Sequence, residues 1–206
     1  LRTGKRMQEK VRRRKKGRDT RPGMPSGNHE LHLCRLLRRK CSRPFLQIMS
    51  KPALKSSAPD FTAPVTGGAH AAGSTIRLKD LRGKPVVLYF YPKDDTPGCT
   101  QEACDFRDSG PALEGGNMVV VGVSPDSIES HKKFKTKYGL PFLLLSDPGA
   151  ELAQRYGAYG EKNMYGKKSM GIIRSTFVIG PKGELEAIHR RVSVKGHVAK
   201  LIEKAA

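Results

Sequence analysis

The sequence predicts an α/β domain built on a mixed sheet, and two observations carry that reading. Short apolar runs of strand length, VVLYFY at 86–91 and MVVVGV at 118–123, alternate with helix-compatible segments such as 127–138, the pattern of parallel strands joined by helices. Toward the C-terminus, 174–179 and 184–190 read as two strands around the turn Gly180-Pro181-Lys182-Gly183, which adds antiparallel strands to the parallel centre.

The elements follow in order. Residues 61–64 and 74–78 predict a small strand pair around the glycine-rich TGGAHAAG, and 79–84 a short helical turn closed by Gly83. The strand at 86–91, rich in β-branched and aromatic residues, runs into Pro92, Asp94, Asp95, Pro97 and Gly98, all turn formers. A helix is expected from Cys99 to about Glu114, ended by Gly115-Gly116. Then come a strand at 118–123, a helix at 127–138 broken by Gly139-Leu140-Pro141, a strand at 142–145 and a helix at 148–156 closed by Gly157. Residues 160–171 read as a polar, glycine-punctuated loop, and 194–204 as a terminal helix.

Charge divides the chain. Residues 1–55 hold 18 Lys/Arg against 3 Asp/Glu, a local +15 that leaves +5 of the total +20 for residues 56–206. The basic balance is therefore a property of the first quarter, and the rest carries no nucleic-acid footprint. Residues 1–29 show no hydrophobic periodicity, while 30–48, with leucines at 31, 33, 36 and 37 among arginines, could form a short basic amphipathic helix on a membrane or acidic partner; with no element to pack against, 1–48 is read as a mostly disordered extension. Composition becomes ordinary at Met49, which is expected to be the biological start, with the upstream residues an over-extended reading frame. An Arg-rich targeting presequence and a phosphate-binding basic arm are the alternatives. No apolar stretch approaches the roughly 20 residues that span a bilayer, so the expected protein is soluble and has no membrane partner.

Four cysteines fall in two pairs, Cys34/Cys41 and Cys99/Cys104. That is too few for a disulfide scaffold, and local pairs point to redox chemistry or metal. Metal fits poorly, because the domain has no second cysteine pair and His70, His131, His189 and His197 are scattered. No metal or cofactor is expected. Cys99 stands where a strand and an open Pro-Gly turn lead into a helix, and the unpaired N–H groups and dipole of a first helical turn stabilise a thiolate. The plain alternative is a buried apolar cysteine. Arg174, at the start of a later strand, is the candidate for a nearby cation. Cys104 is five residues on; along an ideal helix the two Cα atoms lie about 8 to 9 Å apart, beyond the roughly 7 Å a disulfide tolerates. If they pair, the helix must first unwind.

The stretch Pro92-Lys93-Asp94-Asp95-Thr96-Pro97-Gly98-Cys99 resembles the P-x-x-x-T-x-x-C signature of peroxiredoxins, and TPGCTQEAC resembles their bacterioferritin comigratory protein, or peroxiredoxin Q, subgroup. The likeness continues through LLSD, YGEKNMYGKKSMGIIRSTFVI and PKGELEAI, covering about 50–206. It implies a thioredoxin-like fold with helices flanking a central mixed sheet. Cys99 would be the peroxidatic cysteine, Thr96 a hydrogen-bond donor to thiolate and peroxide, Arg174 a stabiliser of the thiolate and developing charge, and Pro92 a shield against water. Glu102 would brace the site, and Cys104 would resolve the sulfenic acid as a Cys99–Cys104 disulfide that thioredoxin reduces. Tyr159 departs from the Trp common at its position, and not every subgroup member has a resolving cysteine where Cys104 stands. Taken without the resemblance, Thr96 reads as a cap or turn residue and Arg174 as a surface strand residue.

The expected activity is thioredoxin-dependent reduction of hydrogen peroxide and small organic hydroperoxides by a cytoplasmic monomer, with organelle targeting by residues 1–48 as the secondary reading of location. A disulfide oxidoreductase on the same fold would favour C-x-x-C over the five-residue spacing seen here. A basic nucleic-acid-associated protein acting through residues 1–48 would bind in a salt-sensitive way that truncation to Met49 abolishes.

Overall fold

The computed structural model describes residues 51–164 and 167–205, without the side chains of 163, 164, 167, 204 and 205. The basic extension at 1–48, the start at Met49, and Cys34 and Cys41 lie outside the described residues. Among the described residues nine strands occur in the order β1 (Thr62–Gly67), β2 (His70–Arg77), β3 (Val86–Phe90), β4 (Val119–Ser124), β5 (Leu143–Ser146), β6 (Tyr159–Met164), β7 (Lys167–Ile172), β8 (Ser175–Ile179) and β9 (Leu185–Arg190). Five helices, α1 (Pro97–Asp108), α2 (Gly110–Gly115), α3 (Ile128–Tyr138), α4 (Glu151–Arg155) and α5 (His197–Ala205), are interleaved with them, and a 3-10 turn spans Leu78–Leu81.

Seven strands form one sheet in the order β2-β1-β5-β4-β3-β8-β9. β3, β4 and β5 are parallel, while β8 and β9 on one side and β1 and β2 on the other are antiparallel additions. This is the mixed, helix-flanked arrangement the sequence implies. All five residues of β3 are buried because both faces are covered. Val86, Leu88 and Phe90 pack with Leu152, Ala153 and Tyr156 around α4. Val87 and Tyr89 pack with Ala103 and Phe106 of α1, Phe134 of α3 and Leu201 of α5. Gly122 on β4 is required by this packing: a Cβ there would lie 2.8 Å from both Tyr89 and Leu144.

Two expectations change. The helix anticipated from Cys99 to Glu114 is two helices, α1 and α2, divided at Ser109; Pro111 lacks an N–H to continue α1 and sits in the first turn of α2, where none is needed. The polar loop anticipated at 160–171 is instead the antiparallel pair β6–β7, a separate two-stranded sheet with Gly160 opposite Gly171 and Lys162 opposite Ser169. Lys168, Ser169 and Met170 of β7 are exposed, so this stretch lacks the apolar alternation that a buried face imposes, and composition concealed it.

Candidate active site

β3 delivers the chain to the end of the sheet where parallel strands terminate, and residues 91–96 turn it into α1. Pro97 opens α1 and Cys99 is its third residue, so the thiol lies in the first turn, whose N–H groups lack partners four residues back. β8 runs antiparallel to β3 with Ser175 opposite Phe90, which brings Arg174, just before β8, to the same end of the sheet. Its Nη2 is 3.2 Å from Cys99 Sγ, and its Nη1 donates to Glu102 Oε2. The guanidinium lies over Gly98, where a Cβ would be 3.6 Å from Nη2.

The pocket is buried: Cys99 is 2% exposed and Glu102 fully covered. Burial pushes the Glu102 carboxyl up to about 7 against the opposing pull of Arg174. Burial also opposes the Arg174 charge, but Glu102 and Cys99 more than offset it and hold the guanidinium above its ordinary value. The two shifts describe one state: a permanently charged arginine shared by two acidic groups, of which Glu102 titrates near neutrality. Glu102 Oε1 and the Tyr89 hydroxyl, both buried, have no hydrogen-bond partner among the described residues. Burial, with Glu102 and Cys99 adding to it, drives the Tyr89 phenol well above its usual range. Behind Arg174, His197 on α5 shares a 2.8 Å hydrogen bond with Thr176 Oγ1; burial, reinforced by His189 and Arg174, lowers it to about 4, a neutral ring at physiological pH.

The turn before Cys99 is held from α3 and from the ends of β4 and β5. Asp94 accepts from the Tyr91 hydroxyl (2.7 Å) and the Ser130 hydroxyl (2.7 Å), and its N–H donates to Asp126 Oδ2 (2.7 Å). His131 Nδ1 lies 2.8 Å from Asp94 Oδ2 and its Nε2 3.1 Å from the Leu145 carbonyl. The ring is thus held at both nitrogens, between the Asp94 carboxylate and the Leu145 carbonyl. Burial works to raise Asp94, but the bonds from His131, Ser130 and Tyr91 and the His131 charge outweigh it and keep the carboxyl low. Asp95, in the left-handed region with φ 54, receives bonds from Lys137 and Tyr138.

The structure thus brings Cys99, Arg174 and Glu102 into direct contact. Pro92 and Thr96 are half-buried in the same turn, but the Thr96 hydroxyl donates to the Lys93 carbonyl at 3.1 Å, and Thr96 occupies the N-cap of α1 without capping it through its side chain. Cys104 is half-buried, and both it and Cys99 are free thiols on an unbroken α1, where their Cα separation of about 8 to 9 Å keeps the sulfurs apart. Among the described residues no cluster of three metal-ligating side chains occurs, and no helix is long and apolar enough to cross a membrane.

Sequence reasoning missed Asp94 and His131, taken as a turn former and a scattered histidine; their contact spans 37 positions, and only the polar residue immediately after a strand hinted at it.

Residues 54–188 match the AhpC/TSA family. The chain belongs to that family. Within it, the chain is 49% identical over 145 residues to a putative peroxiredoxin bcp of Coxiella burnetii, covering 70% of this chain and 93% of that protein. It is 53% identical over 131 residues to peroxiredoxin Bcp of Bacillus subtilis, covering 64% of this chain and 83% of that protein. Among solved structures, the bacterioferritin comigratory protein of Xanthomonas campestris, studied for alkyl peroxide reduction, superposes with TM-score 0.64 at 37% identity over 70% of this chain and 89% of that one. The chain is a peroxiredoxin of the Bcp, or Q, type: a thiol peroxidase on a thioredoxin-like fold.

Proposed function

We propose that Cys99 is the attacking thiolate and that Cys104 resolves it. The observation that carries this is the Arg174 guanidinium 3.2 Å from Cys99 Sγ, in a first helical turn whose N–H groups add to the same positive field. The Cys99 sulfur attacks one peroxide oxygen; the S–O bond forms, the O–O bond breaks, and the departing oxygen takes a proton to leave as water or an alcohol. Arg174 faces the negative charge that moves from sulfur to oxygen. Thr96, whose hydroxyl proton rests on Lys93, turns that donor toward the peroxide, and Pro92 limits water at the mouth. Glu102 holds the guanidinium in place through Nη1.

The Cys104 thiol then displaces water from the Cys99 sulfenic acid to give the disulfide, and a thioredoxin-type dithiol returns both sulfurs to thiols, its own pair becoming oxidised. Hydrogen peroxide and small organic hydroperoxides are the substrates; the work on alkyl peroxides in the Xanthomonas relative supports the second class. Because the proposed disulfide lies within one chain, a monomer suffices, and the dithiol step suits a reducing compartment such as the cytoplasm.

Peroxide consumption coupled to thioredoxin tests the assignment. Cys99→Ser abolishes turnover, with a loss of at least about a thousandfold expected for removal of a covalent nucleophile. Cys104→Ser gives one sulfenate-forming turnover, detected by mass, and poor recycling by thioredoxin. Retained turnover in Cys99→Ser would overturn the reading.

A further inference from the structure

Opening the first turn of α1 brings two sulfurs together efficiently only if the other half of that helix stays in place. Cys104 lies in that half, and α3 holds it. Arg107 is three residues beyond Cys104 and therefore its neighbour on the helix surface. It is half-buried, and its Nη1 donates to the Tyr138 carbonyl at 2.7 Å, a bond across 31 positions. Its Nε donates to Asp108 at 2.8 Å, which fixes the plane of the guanidinium. Tyr138 ends α3 just before Gly139 in the left-handed conformation, so its carbonyl is among those a helix leaves without an internal partner, where the helix dipole favours a cation. Beside Arg107, Phe106 is 1% exposed and stacks on Tyr89 with ring centroids 4.7 Å apart.

Tyr138 also reaches the other flank. Its hydroxyl donates to Asp95, so the last residue of α3 bonds to the chain before Thr96 by its side chain and beyond Cys104 by its backbone. The stretch between these two fixed points holds both cysteines. Its length suits a swing of Cys99 alone: the three residues from Cys99 to Glu102 reach about 10 Å when extended, enough to come within the roughly 7 Å a disulfide tolerates of a Cys104 that has not moved.

We propose that Arg107 is a positioning residue for the disulfide step: bonded to α3, it keeps Cys104 on a fixed half of α1 while the opening turn gives way and Cys99 swings to it. This deepens the proposed function and rests on Cys104 being the resolving thiol. Arg107 forms no bond with peroxide or with either sulfur. The Cys104 sulfur displaces water from the Cys99 sulfenic acid, and Arg107 sets how often the two sulfurs meet.

The test follows a single turnover with hydrogen peroxide in the full chain, comparing wild type, Arg107→Met and Arg107→Lys by rapid quench and mass measurement, so that sulfenate formation and disulfide appearance are separate rates. Arg107→Met keeps an apolar stem and loses the donors. Its sulfenate formation stays within about twofold of wild type while disulfide formation slows about three- to tenfold, as the loss of one charged hydrogen bond implies. Arg107→Lys, which keeps a charged donor for the single carbonyl, restores the second rate. Hydrogen exchange of the oxidised protein gives an independent readout: wild type exchanges fast up to Gln101 and is protected over 102–108, and Arg107→Met loses that protection. Equal slowing of both steps overturns the inference, since the role would then be general stability. An unchanged or faster disulfide step overturns it too, as does a lysine variant that behaves like the methionine one. Thermal melting checks that each variant is folded. Cys104→Ser separates the two levels: if it stalls at the sulfenate and Arg107→Met is unchanged, the resolving assignment stands and only the role of Arg107 fails, whereas wild-type recycling in Cys104→Ser defeats the resolving assignment itself.

Discussion

The two stretches on either side of Thr96 are held in opposite ways. Residues 92–96 are fixed by side-chain bonds to distant parts of the chain, Asp94 to Ser130 and His131, its N–H to Asp126, and Asp95 to Lys137 and Tyr138. The first turns of α1 have no side-chain cap and no acidic residue in the opening turn. They rest on local bonds such as Thr100 N–H to the Thr96 carbonyl at 2.8 Å, on buried Ala103 and Phe106, and on Arg174. Local helical bonds are each worth about 1 kcal/mol net, so the opening turn as far as Gln101 can give way without breaking the Glu102–Arg174 pair, whereas stranding the buried Asp94 carboxylate costs about 3 to 5 kcal/mol. The difference teaches where motion falls in the proposed cycle: the turn stays seated while the start of α1 unwinds to bring Cys99 to Cys104.

The sharpest way to break this contrast is to cut the anchor. Asp94→Ala strips His131, Ser130 and Tyr91 of their shared partner at once and is expected to lower stability by about 3 to 5 kcal/mol in guanidinium unfolding. A loss under about 1 kcal/mol would mean that the turn is no better held than the helix.

A second test uses the opposite pH behaviour of the two buried acids. The folded-state value of Glu102, about 7, lies above its ordinary 4.5. The stability it contributes is therefore complete below pH 4.5 and is lost as pH rises through about 7. Asp94 is lowered, so its contribution is present above the ordinary carboxylate range and lost on acidification. Glu102→Gln should flatten the decline between pH 4.5 and 7, an effect on the order of 3 kcal/mol, while leaving the acid limb intact. Unfolding midpoints measured across that range report it, and an unchanged slope would show that Glu102 is ionised throughout.

The smallest effect probes the helix itself. Gly98 sits in the first turn, and a Cβ there makes ordinary contacts of 3.6 Å with Arg174 and 3.8 Å with Val194. Gly98→Ala should stabilise α1 by about 0.5 to 1 kcal/mol and, since disulfide formation requires that turn to open, slow the step after sulfenate formation about two- to fivefold. Stopped-flow measurement of disulfide appearance checks it; acceleration would contradict a cycle in which α1 unwinds.

Much of this was legible in the sequence because the relevant signals are local. The apolar run of β3, the Pro-Gly entry to α1 and the Gly180–Gly183 turn each declare themselves within a few residues, and the arrangement around Cys99 follows from them. Arg174 is only a candidate cation from its place at a strand start, and the family resemblance supplies its role. The β6–β7 ribbon was concealed by its polarity, and the division of α1 from α2 was overlooked although Pro111 marked it. The Asp94–His131 pair was illegible for another reason: its two residues, 37 positions apart, are brought close by strand pairing and helix packing, which no local pattern encodes.

The register of β8 against β3 has an evolutionary consequence. Because Ser175 must face Phe90, the position of Arg174 is guaranteed by the sheet and cannot drift without dismantling the core. The β6–β7 ribbon, by contrast, lies outside that sheet and fixes no residue of this pair. The arginine's place beside Cys99 is therefore as durable as the sheet itself.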